Sequence, residues 1–106
     1  MAKVVWTDPP ALKDLEVAVR YIAMDSPRYA ERFSKRLVQA PRALKEYPSL
    51  GRIVPEYQLS SLRELIHGAY RIIYEIRQDT CYIEAVIHAS RDLMMHYEPG
   101  EWDVTE

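Results

Sequence analysis

Two arginines expected near one sheet edge could together hold a phosphate. Arg71 lies in the run Tyr70-Arg71-Ile72-Ile73-Tyr74, and Arg91 follows Val86-Ile87-His88-Ala89-Ser90. Fixed guanidinium groups can grip an anion bidentately, and a nearby imidazole such as His88 can move a proton near neutral pH. The remaining chemistry-bearing residues form no pattern. His67, His88 and His96 lack the short spacing of metal ligands, and the three glycines build no phosphate loop. Neither a metal nor a cofactor is expected. Cys81 is the only cysteine and cannot form an internal disulfide, which agrees with a reducing compartment.

Charge adds a second candidate surface. Residues 28–45 carry Arg28, Arg32, Lys35, Arg36, Arg42 and Lys45 against Glu31 alone. Such a basic helix face is most often simply solvated; the alternative is contact with a polyanion or an acidic partner through Arg28, Arg32, Lys35 and Arg36. Residues 98–106 hold Glu98, Glu101, Asp103 and Glu106 with no basic residue. Of 16 acidic residues, the 12 that remain face 14 basic ones, so a mildly basic body precedes an acidic tail. A chain of 106 residues bounds the body to one domain, taken as 1–97, with 98–106 as the tail. No run approaches the roughly 20 apolar residues of a membrane helix. The N-terminus is broken too early by Asp8-Pro9-Pro10 to read as a signal peptide, so a cytoplasmic location is the default expectation.

The elements that must position these residues follow from periodicity. Lys3-Val4-Val5-Trp6 reads as a strand. Asp8 is expected to cap a first helix over about 8–25, with Pro9 at its first position and an apolar stripe of Leu12, Leu15, Val19 and Ile22. Asp25-Ser26-Pro27 repeats the start signal for a second helix over about 27–46, with Ala30, Phe33, Leu37 and Leu44 as its stripe. The short link between them predicts an antiparallel hairpin. Pro41 lacks an amide proton and predicts a kink or an early end. After an irregular connection through Ser61, three strands follow: 62–67, 70–77 and 80–88. Their short turns at Gly68-Ala69 and Gln78-Asp79 require an antiparallel meander. Alternation places Cys81, Ile83, Ala85 and Ile87 on one side of the last strand. The resulting class is α+β, in the order β-α-α-β-β-β, with the helical hairpin as the cover available to the sheet.

Four strings now carry a resemblance. Tyr47-Pro48-Ser49-Leu50-Gly51-Arg52, Leu62-Arg63-Glu64-Leu65, Gly68-Ala69-Tyr70-Arg71-Ile72-Ile73-Tyr74 and Val86-Ile87-His88-Ala89-Ser90-Arg91-Asp92 occur in that order. Together with Trp6-Thr7 before the first helix, they resemble the ParE/RelE toxin superfamily over about residues 3–93, and most closely its ParE branch, the plasmid stabilisation toxins. The resemblance implies the toxin of a bacterial type II toxin–antitoxin pair. Such a protein would inhibit DNA gyrase without a catalytic cycle and would be neutralised in a hetero-oligomer by a cognate, ParD-like antitoxin.

The RelE branch implies the alternative, a ribosome-dependent mRNA endoribonuclease. There Arg71 and Arg91 would bind phosphate, and Tyr97, six residues after Arg91, would complete the set with His88 or His96 for proton transfer. The residues argue against it. RelE-type toxins commonly place lysines on the strand that here reads Leu62-Arg63-Glu64-Leu65, and this chain has no lysine after Lys45. Glu64 would have to serve as base. A sequence pI of 5.9 is low for a protein that holds RNA by its phosphates. ParE relatives also keep the Tyr-Arg pair and the His-x-x-Arg-Asp end without known nuclease activity, where these residues look structural. A third reading is an interaction module of the same fold that has lost toxicity.

Overall fold

The computed structural model describes residues 1–99, so the acidic tail beyond Pro99 lies outside the described residues. Strand β1 (Lys3–Trp6) leads into helix α1 (Pro10–Ala23), followed by α2 (Pro27–Gln39) and a 3₁₀ segment (Ala40–Lys45). Strands β2 (Arg52–Ile53), β3 (Leu62–His67), β4 (Tyr70–Arg77) and β5 (Thr80–His88) then precede a short helix, α3 (Leu93–His96). The five strands form one sheet in the order β1-β5-β4-β3-β2. The meander β3-β4-β5 is antiparallel as expected, and β2 is antiparallel to β3. The antiparallel expectation fails only for β1, which lies parallel to β5 with Lys3 opposite Thr80 and Trp6 opposite Ile83. The two helices between β1 and β2 carry the chain across the sheet to its other edge.

The helix signals are partly relocated. Thr7 replaces Asp8 as the residue that satisfies the start of α1: its hydroxyl accepts the Ala11 amide (3.1 Å) and donates to the Ile83 carbonyl (2.7 Å). One side chain thus caps the helix and fastens it to β5. Pro10, rather than Pro9, occupies the first helical turn. Ser26 caps α2 by accepting the Tyr29 amide. The α-helix ends at Gln39 and continues as the tighter 3₁₀ form through Pro41, because a proline there cannot donate to the ladder.

The buried face of α1 is Ala11 and Ala18, with Leu15 and Ile22 half-buried beside them. The expected burial of Leu15, Val19 and Ile22 is therefore only partial, and Leu12 is exposed. Small alanines let the helix axis approach the sheet, which turns its larger side chains outward. Phe33, Leu37, Ile72, Tyr74 and Ile83 fill the core under the helices as expected. Ala85 is also buried, but on the other face.

That exchange has a local cause. Ile73 pairs with Ala85 while Tyr74 pairs with Ile83, so Glu84 is an extra residue in β5. The bulge reverses the alternation. Cys81 and Ile83 face the helices, whereas Ala85 and Ile87 face away and Val86 takes their place. The helical hairpin is also not the sole cover. Val54, Leu62, Ile73, Ala85, Ile87, Leu93 and Tyr97 form a second core on the far face, under the 54–61 connection and α3.

Candidate functional site

Arg71 is on the far face of β4 and only 9% of its side chain is exposed. Its Nε donates to Glu64 (2.5 Å), and its two terminal nitrogens donate to the two oxygens of Glu56 (2.7 Å each). Glu64 is fully buried and accepts a second bond from Arg52 Nε (2.5 Å). Two arginines and two carboxylates thus form a neutral, closed network. The bidentate bond from Arg71 holds the Glu56 carboxyl below its ordinary range, and Glu56, then Glu64, raises the Arg71 guanidinium further above its own. A phosphate reaching Arg71 would have to displace a carboxylate that is already optimally placed. Glu64 is equally committed, with each carboxylate oxygen bonded to an arginine.

Arg91 lies elsewhere. It is exposed and lines a groove of about 320 Å³ with Val17 and Tyr21 of α1 and with His88. His88 Nδ1 accepts the Ser90 amide (3.1 Å) and lies 2.7 Å from the Ser90 hydroxyl, and its ring stands edge-on to Tyr70. His96, on α3, is bonded to Asp14 on α1 (3.0 Å), and the same carboxylate accepts the Val86 amide (3.0 Å). Tyr97 is on the far face, 4% exposed. Its hydroxyl donates to the buried Glu84, and its carbonyl accepts the Tyr57 hydroxyl (2.6 Å). The sheet therefore separates Arg71 from the groove that holds Arg91 and His88, and Tyr97 lines an adjoining hollow beyond Asp14 and His96.

The basic residues of α2 stand out from the core face of that helix, opposite Ala30, Phe33 and Leu37. Arg28, Arg32, Lys35 and Arg36 are all exposed, and among the described residues only Lys35 of these four has an ion pair, with Glu31 (3.4 Å). Among the described residues no cluster of three or more potential ligands could hold a metal ion, and burial raises the Cys81 thiol above its usual value.

The motif strings have structural explanations in this fold. Gly51 donates its amide to the Tyr74 hydroxyl (2.9 Å), which in turn donates to the Pro48 carbonyl (2.7 Å). A Cβ on Gly51 would stand 2.5 Å from the Glu64 carbonyl and 2.8 Å from the Tyr74 ring, so only glycine fits there. Arg63 donates to the carbonyls of Ser60, Ser49 and Gly51 and ties two loops together. Asp92 caps α3 through the Met94 amide.

The family model for the ParE toxin of the type II toxin–antitoxin system parDE matches residues 4–93. The chain belongs to the ParE toxin family. A solved structure described as the chromosomal ParDE TA system from P. aeruginosa has the same fold, with a TM-score of 0.68 at 18% identity. The match covers 83% of this chain and 96% of that one. None of the curated proteins compared with the chain matches it. The resemblance read from the four strings thus holds for the family, and the residues in those strings do structural work in this ParE fold. Asp14, Glu56 and Glu84 are not legible as site residues in the sequence, because their partners lie 13 or more residues away.

Proposed function

We propose that this ParE family toxin acts as a protein inhibitor of DNA gyrase and is neutralised by a ParD-like antitoxin in a hetero-oligomer. The observation that carries the reading is the closed Arg52-Glu64-Arg71-Glu56 network. Cleavage of RNA needs free cations at the phosphate and a proton-transfer pair near the 2′-hydroxyl. Here Arg71 is saturated by carboxylates, Tyr97 is bonded to Glu84, and Arg91 and His88 stand in a different groove. Binding without chemistry asks for none of these groups to converge. It asks for exposed surface, which Arg28, Arg32 and Arg36 and the apolar residues of α1 supply.

Expression without antitoxin tests this reading in cells. Replication should stop and the DNA-damage response should follow, while translation continues at first. Immediate arrest of translation with intact replication would contradict it, and unimpaired growth would favour a module that has lost toxicity.

A further inference from the structure

Helix α2 carries a line of cations that the fold does not use. At about 100° per residue, Arg28, Arg32, Lys35 and Arg36 fall within an arc of about 100°. That arc lies away from the buried Ala30, Phe33 and Leu37. The exposed Gln39 shares it, and the exposed Arg42 and Lys45 follow on the 3₁₀ segment, where Pro41 and Leu44 turn inward. Among the described residues Arg28, Arg32, Arg36, Arg42 and Lys45 have no carboxylate partner. Lys35 alone pairs, with Glu31 just outside the arc. The charge is concentrated there. Residues 28–45 hold six of the 14 basic residues and one of the 16 acidic ones, so the rest of the chain has 8 basic against 15 acidic residues. A net charge of −2 thus conceals one face that attracts a polyanion on a chain that repels it elsewhere.

The residue types select among anionic partners. Cores of protein interfaces are poor in charge and built around apolar anchors, whereas DNA-binding faces are polar and strongly positive. The arc on α2 holds no apolar side chain. Tyr29 and Val38 stand outside it on either side, and the Tyr29 ring packs against Phe33 with centroids 6.3 Å apart. Single strands are held by aromatic platforms for their bases, which this arc lacks. Three of its four cations are arginines, whose planar forks match phosphate oxygens. From Arg28 to Arg36 the helix rises about 12 Å at 1.5 Å per residue. That length meets three to four phosphates of one strand, at about 3.4 Å of duplex axis each.

We propose that α2 is a contact for duplex DNA, in which Arg28, Arg32, Lys35 and Arg36 hold the phosphates of one strand without reading its sequence. The contact itself does not depend on the gyrase reading, but its use does. An enzyme that supercoils DNA holds a duplex, so a toxin bound to it meets that duplex at high effective concentration, where a weak contact suffices. The same charges steer an acidic protein from a distance, which is a matter of rate and not of seating.

Anisotropy of a fluorescent duplex of about 20 base pairs, titrated with the purified toxin at several salt concentrations, tests the contact. With three to four phosphates engaged, the log–log salt slope of the affinity should be about −3, a loss of roughly sixtyfold between about 50 and 200 mM salt. Unrelated duplex sequences should bind within about twofold of one another. Arg32→Glu with Arg36→Glu should weaken binding at least tenfold and take about two from the slope, with unchanged circular dichroism. The milder Arg32→Gln with Arg36→Gln should take the same two from the slope without new repulsion. Lys3→Glu with Lys13→Glu changes the net charge as much as the reversed pair does, at exposed positions off α2, and should leave the slope as it is. No binding at about 50 mM salt, or equal binding by the reversed α2 variant, overturns the inference. Tighter binding of polyglutamate would assign the stripe to an acidic protein, and tighter binding of single-stranded DNA to an unpaired strand; either also overturns it. Gyrase is absent from this assay, so these failures leave the inhibitor reading intact. A toxin that binds duplex DNA as described but leaves supercoiling untouched would remove the gyrase reading and keep the contact.

Discussion

Replacing Arg71 by alanine separates a structural arginine from a phosphate-binding one. Glu64 has no exposed side-chain surface and accepts one bond from Arg71 and one from Arg52, whose side chain is 60% exposed. Without Arg71 the buried Glu64 keeps only the solvent-facing partner, and Glu56 loses both of its charge-assisted bonds. Removing one member of a buried ion pair costs about 3–5 kcal/mol, because the remaining charge is stranded in a medium that solvates it poorly. A domain of this size has about 5–15 kcal/mol in total, so Arg71→Ala should lose about a fifth or more of its stability. With a urea dependence of about 1.5–2 kcal/mol per molar, the unfolding midpoint should fall by roughly 2 M. Arg71→Leu combined with Glu64→Leu should recover most of the loss, since the stranded charge is then gone. The pH profile supplies a check of sign. Glu56 is depressed in the folded state, so its contribution is present above its ordinary value of 4.5 and fades as pH falls through the lower folded value. Arg71→Ala should flatten that acid limb. A loss below about 1 kcal/mol, with the acid limb unchanged, would refute the network as a stabilising unit.

Other substitutions probe the remaining elements. Phe33→Ala should cost about 3–5 kcal/mol in urea unfolding, since the residue is 5% exposed and its ring packs tilted against Tyr70 with centroids 5.2 Å apart. Gly51→Ala should destabilise by about 1–3 kcal/mol by forcing the β2 loop off Tyr74 and the Glu64 carbonyl. Tyr74→Phe should cost about 1–3 kcal/mol, because the Gly51 amide and Pro48 carbonyl both lose their partner. Reversing charge at Arg32 and Arg36 together should slow association with the antitoxin at low salt and leave dissociation nearly unchanged; an unchanged rate would make α2 an ordinary solvated face.

Much of this architecture is legible in the sequence because its signals are local. The stripes and the Ser26-Pro27 start define α2, Pro41 marks where its geometry changes, and Gly68 at φ 57° marks the hairpin. Three features are not local. The parallel seating of β1 on β5 joins residues nearly 80 positions apart. The bulge at Glu84 leaves no mark in the alternation, because Ala85, Val86 and Ile87 are apolar on both faces. The site is less legible still. Arg71 can be found from its string, but its role is set by Glu56 in a loop without periodicity, and a sequence shows neither the facing of Glu64 nor the separation of Arg91 from Arg71 by the sheet.

Titration of purified DNA gyrase with this protein, read as loss of supercoiling, tests the inhibitor reading most directly. Supercoiling should fall as toxin is added and return on addition of the antitoxin. Ribosomes programmed with mRNA and given the same protein should yield no new cleavage products. Undiminished supercoiling alongside cut mRNA, with the cutting lost in Arg71→Ala protein that remains folded, would contradict the account.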